Sequence, residues 1–273
     1  MLTLVYRRLT GSKDDTLKQG EAANGLRHVT SLLLTKTADS LIQPKLVLTW
    51  LMTSLAVPSW VIGLLVPIRE AGALLPQVFL ARFVEQADRV KYFWSVGSFG
   101  QGVCAVLIGL AALSVDGLAA GLTIVGLLAL LALFRAICSV SYKDTLARTI
   151  PKTRRGSLTG AATSLAACML ILFGAALSFG FIPLTTPAIS IAIMLAGALW
   201  ILAAALFTSL REQSGDETAN QDGKRDEDDL TVQTLVQPLL SDQQLHYLIL
   251  VRAFLAVTAL APPFIIMLSA QSG

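Results

Sequence analysis

The sequence predicts an all-α fold, a multi-pass transmembrane helical bundle, and three observations carry that reading. Of 273 residues, 54% are hydrophobic and only 14% charged, and the mean hydropathy is +0.67. A soluble domain carries about 25% charged residues, so the polar side chains here are too few to cover a water-soluble surface. The apolar residues gather in seven segments, each long enough for the roughly 20 residues a helix needs to cross a bilayer. The basic residues, finally, collect in alternate loops.

In chain order the segments span 38–57, 60–81, 93–113, 117–139, 158–180, 185–209 and 245–268. Pro58 separates the first two, "SVDG" the third from the fourth, and "FIPLTTP" the fifth from the sixth. The first segment has a polar start, "TKTADSLIQPK". Residues 1–37 read as a cytoplasmic N-terminal segment, 38–210 as a six-helix bundle, 211–244 as a cytoplasmic acidic linker and 245–273 as a seventh helix with the end of the chain. Within the linker, the stretch 211–230 holds eight acids against three bases. It has too little apolar surface to fold by itself. The start, "MLTLVYRRLTGSKDD", lacks the apolar run and cleavage site of a secretory signal.

The loops before the first segment and after the second, fourth and sixth hold 17 of the 21 basic residues. The loops near 58–59, 114–116 and 181–187 hold none. Basic loops remain in the cytoplasm, so the N-terminus is expected inside. The segregation, rather than the net charge of +3, sets this topology.

Enzyme signatures are missing. There is no Walker A loop, HExxH, GxSxG or Gly-rich dinucleotide loop. The expectation is therefore no enzyme, no cofactor, no metal and no nucleic-acid partner. Cys104, Cys138 and Cys168 lack metal-ligand spacing and read as small buried hydrophobes. His28 and His246 are expected at membrane edges.

The informative residues are charges placed within apolar segments: Asp39, Lys45, Arg69, Glu70, Arg135 and Arg252. A charge at mid-bilayer costs a few kcal/mol or more, and faces a partner or a polar cavity. Arg69 and Glu70 sit side by side in "GLLVPIREAGALLPQ", about 100° apart on a helix, so each should meet a different partner. Lys45 is the expected partner of Glu70, and Asp39 a weaker candidate for Arg69. Structural ion pairs and a substrate or proton pathway both fit these residues. Pro44 and Pro67 lie beside them and free backbone carbonyls at similar depth. Lys45, Arg69 and Glu70 are thus the candidates for a substrate or ion cavity. Arg135 is expected to snorkel toward the cytoplasmic surface. Gly156, Gly160, Ser164 and Cys168 form a small-residue row suited to close helix packing.

Six helices, a polar linker and a seventh helix resemble the first half of a major facilitator superfamily transporter plus the start of its second half. The family signature between helices two and three, GxxxDRxGRR, is similar to "VEQADRVKYF", where Asp88 and Arg89 match. Val84 and Lys91 replace its glycines, and Tyr92 and Phe93 its paired bases. "LLVPIREAGALLPQ" and "YKDTLARTIPKTRRGSLTG" also resemble bacterial permeases of that superfamily. The resemblance covers nearly the whole chain after residue 28. It implies a bacterial inner-membrane permease that moves a small solute by alternating access, with a proton or other ion as a potential coupling partner. It further implies that Asp88 and Arg89 belong to a cytoplasmic gate, with Asp144, Arg154 and Arg155 as partners. That family has twelve or more helices, so the chain is expected to be the N-terminal part of a longer permease. A complete seven-helix receptor or scaffold is the alternative. The expected topology is the reverse of such receptors, and the seventh segment has no lysine for a retinal-type Schiff base.

Overall fold

The computed structural model describes residues 2–10, 20–74, 89–181, 183–210 and 261–272, with single positions or pairs between 76 and 87 and between 246 and 258. All the regular structure among these residues is helical. The expected linker and Arg252 lie outside the described residues, as does Asp88.

Helix α1 (Leu2–Thr10) leads to α2 (Glu21–Leu41), which begins after Gly20 in a left-handed conformation, φ 89°. The helix thus starts well before residue 38. Its first half is polar in sequence yet buried by neighbouring helices, Asn24, His28 and Ser31 among the buried positions. Hydropathy does not register burial of that kind.

Pro44 stops α2. A residue before proline is pushed out of the helical region, and Gln43 has ψ 121°. A π-helical turn, Pro44–Leu48, follows, in which the Gln43 carbonyl accepts from the Val47 and Leu48 amides at 3.0 and 3.2 Å. The Thr49 hydroxyl donates to the Pro44 carbonyl at 2.8 Å, satisfying a group that the irregular turn would leave open. The chain continues as α3 (Thr49–Ser54).

The second segment is also interrupted, as α4 (Ser59–Ile62) and α5 (Leu65–Leu74). The break at Gly63–Leu64 is where the Pro67 ring would collide with the carbonyl four residues back. Pro67 falls in the first turn of α5, where its missing N–H leaves no bond unmade.

Four unbroken helices follow. They are α6 (Lys91–Ser114), α7 (Gly117–Thr149), α8 (Lys152–Ser178) and α9 (Thr186–Thr208). Each is long and apolar enough to cross a membrane, which marks the chain as a helical membrane protein. With 33 residues, α7 runs ten residues past the end of its apolar segment at 139. The polar turns that extend it still bury Ser141, Thr145 and Leu146. The last described element is α10 (Ala261–Ser272), packed on α3 and the π turn.

The bundle packs α6 between α7 and α9, α5 on α7, and α2 against both α8 and α9. The closest approach is α6 to α9 at Gly102 and Gly197. A Cβ on Gly102 would lie 2.7 Å from the Gly197 carbonyl oxygen, and one on Gly197 would lie 2.6 Å from that of Gly102. Ser98 adds an interhelical hydrogen bond to the Trp200 carbonyl, 2.9 Å. The main core joins α2 to α7 and α9, with Leu48, Leu51, Met52, Ile108, Ile124, Leu128 and Trp200 at its centre.

Apolar side chains also cover the outside. Leu165, Met169, Leu170, Ile171 and Leu172 of α8 are all exposed, a surface suited to lipid rather than water. The row Gly156, Gly160, Ser164 and Cys168 shares this outward exposure. A Cβ at Gly156 or Gly160 would meet nothing within 4 Å, so the expected close packing is not formed by the described residues. Cys104 and Cys138 are buried as expected, whereas Cys168 is exposed.

Candidate functional site

The end of α2, the π turn, α5 and the middle of α7 enclose a cavity of about 200 Å³. Its lining includes Asp39, Gln43, Lys45, Arg69, Glu70 and Arg135. The break at Pro44 matters here, because it places the Gln43–Lys45 backbone beside the charged side chains instead of continuing α2 past them.

Asp39 is the hub. Its Oδ1 accepts from Arg69 Nη2 at 2.5 Å and also from Arg135 Nη1. The two arginines reach it from different helices, α5 and α7, so one carboxylate ties three helices together. Arg69 is only 7% exposed. A buried guanidinium without a counterion would cost several kcal/mol, and Asp39 offsets that cost. The compensation is incomplete in geometry: Arg69 Nη1 is buried and has no hydrogen-bond partner among the described residues.

The structure therefore brings together all three residues expected to line a cavity, Lys45, Arg69 and Glu70, and adds Asp39 and Arg135. Arg69 meets Asp39, one of the expected partners, while the expected pairing of Lys45 with Glu70 is not formed. Glu70, one position round α5, is exposed, as the rotation of about 100° per residue requires. Arg135 turns to Asp39 rather than only snorkelling outward. Asp39 and Arg135 were each visible in sequence as charges in apolar surroundings, but nothing in the sequence joins positions 96 apart.

Of the expected gate residues, Asp144 lies near the C-terminal end of α7, Arg154 and Arg155 lie in the first turn of α8, and Arg89 lies just before α6. Here they do not form a single relay among the described residues. The Arg154 guanidinium donates to Glu21 Oε1 at 2.5 Å, and the Tyr6 hydroxyl donates to the same oxygen at 2.9 Å. Tyr6 is fully buried, and burial, followed by the Glu21 carboxylate, pushes its pKa up. Arg155 donates to the carbonyls of Ala147 and Ile150 at 3.0 and 2.8 Å, closing the C-terminus of α7. Asp144 is half-buried and forms no ion pair with a described residue, and Arg89 is exposed.

Two further residues were not anticipated in their roles. Lys91 Nζ donates to the Thr208 and Leu210 carbonyls at 3.1 and 2.6 Å, so the start of α6 caps the end of α9. A cation there also complements the helix dipole. His28 is buried, edge-on to both Tyr142 and Phe207. Its Nε2 lies 2.7 Å from Thr149 Oγ1, whose own proton goes to the Thr145 carbonyl. Nε2 must then carry the ring proton, which leaves Nδ1 as a buried acceptor with no described partner.

Among the described residues, no group of three or more His, Cys, Asp or Glu side chains could hold a metal. No protein-family model, curated protein or solved structure matches the chain.

Proposed function

We propose that the chain is part of a secondary-transporter-type permease that moves a small solute by alternating access. In this reading the six-helix bundle is the N-terminal half of a major facilitator-type fold, and α10 belongs to a further helix. The observation that carries it is the cavity at the break of α2, lined by five charged side chains inside an otherwise apolar bundle. Intramembrane charges beside an interrupted helix are the usual furniture of a solute or ion site, because broken backbone at that depth is tolerated where it lines a cavity.

The segregation of basic loops supports an N-terminus in the cytoplasm. The ties among Tyr6, Glu21 and Arg154, and between Lys91 and α9, support a cytoplasmic end that holds its helices as one rocking body. Arg89, Asp144 and Arg155, with Asp88, are then surfaces of a gate that a second half would close upon. Glu70, exposed at the cavity, is the candidate for proton coupling.

The test is uptake into proteoliposomes of radiolabelled phosphate, succinate, choline and glucose. Saturable uptake of at least one is expected, lost in Arg69→Ala at normal protein yield. If Arg69→Ala and Glu70→Gln both leave uptake intact, or no solute of the four enters saturably, the permease reading fails.

A further inference from the structure

The cavity has a sign. Lys45, Arg69 and Arg135 face Asp39 and Glu70, an excess of one positive charge. The acids cannot consume that excess locally. Asp39 Oδ1 already serves both arginines, and Glu70 is exposed and in no ion pair. Arg69 Nη1, on a side chain only 8% exposed, is a buried donor with no acceptor among the described residues. A guanidinium edge is shaped for the oxygens of a carboxylate or phosphate. The volume of about 200 Å³ lies below the roughly 300–1,000 Å³ typical of sites for drug-sized ligands.

We infer that this cavity binds a small oxyanion, a carboxylate or a phosphate group, between the cationic side chains of Arg69, Arg135 and Lys45. The inference rests on the permease reading and gives its cargo a chemical class. One bound oxyanion cancels the surplus charge. Glu70 opposes it and so sets how tightly the anion is held.

The experiment is equilibrium binding of radiolabelled inorganic phosphate and acetate to the full chain in phosphatidylcholine nanodiscs, with choline and glucose as controls. Saturable binding of at least one anion and of neither control is expected. Arg69→Gln should raise the dissociation constant about tenfold or more, as loss of a hydrogen bond to a charged group does. Glu70→Gln, at an exposed position, should tighten anion binding several-fold. This second variant decides the matter if Arg69→Gln does not fold. No saturable anion binding, or anion binding weakened by Glu70→Gln, overturns the inference. Repeating the titration in phosphatidylglycerol nanodiscs separates sources. If the anionic lipid displaces phosphate, the oxyanion site stands and its occupant is a headgroup; if it does not, the site stands with a soluble occupant. Anion binding without uptake in proteoliposomes sinks the permease reading alone. Uptake of choline or glucose without anion binding sinks the oxyanion assignment alone.

Discussion

Asp39 carries two arginines on one oxygen, and its removal is the most damaging single change at the site. Asp39→Asn leaves three cations, Lys45, Arg69 and Arg135, in the cavity wall with one exposed acid, Glu70, near them. Breaking a buried pair costs about 3–5 kcal/mol, and the partial exposure of Asp39 favours the low end. The expected result is a clear loss of thermal stability in detergent. Glu70→Gln and Lys45→Ala should each change stability by less than about 1 kcal/mol, because both side chains are outside the ion-paired hub. A thermal-unfolding series on the three variants checks the contrast, and equal losses in all three would contradict it. At this scale the sequence was legible in part. Arg69 and Glu70 announce themselves as charges in an apolar segment, but who meets whom depends on helix rotation and crossing, which a single sequence does not encode. Lys45 and Glu70 therefore looked like a pair, yet they line the same cavity without forming an ion pair.

The elements depend on close backbone approach and on their ends. Gly102→Leu should disrupt α6 on α9, since even a Cβ at Gly102 meets the Gly197 carbonyl oxygen at 2.7 Å. Overpacking of this kind costs about 1–3 kcal/mol and often more when backbone must move. Gly126→Leu on α7 is the matched control, because a Cβ there meets nothing within 4 Å. Comparable melting temperatures for the two variants would show that the α6–α9 contact is looser than described. Lys91→Met should fray the end of α9, removing donors to two carbonyls, and hydrogen exchange at 205–210 would report it. Proline and hydropathy made most of the helices legible, including the interruptions near Pro44 and Pro67. Helix ends were less so. Glu21–Leu41 and the last turns of α7 are held by packing of polar faces, for which an apolar-run criterion has no term.

For the whole molecule, charge and apolar surface agree. Lys91, Arg148, Arg154 and Arg155 gather at the end where α6 and α8 begin and α7 and α9 finish. Ser54, Gly117 and Thr186 meet at the opposite end, joined by a hydrogen bond between the Ser54 and Thr186 hydroxyls and by one from the Gly117 amide to the Leu55 carbonyl. Between the two ends the outer surface is apolar, and the charged cavity opens within it. The permease proposal predicts a solute path through this cavity reachable from both sides of the membrane in turn. The direct measurement is the accessibility of Gln43→Cys, a neutral cavity position, in a Cys168→Ser background that leaves only the two buried cysteines. A membrane-impermeant thiol reagent is applied to right-side-out and inside-out vesicles of the full protein. Modification from both sides, slowed by the anion that binds, is the predicted result. Modification from one side only, or from neither, would contradict an alternating-access cavity at the Asp39–Arg69–Arg135 cluster.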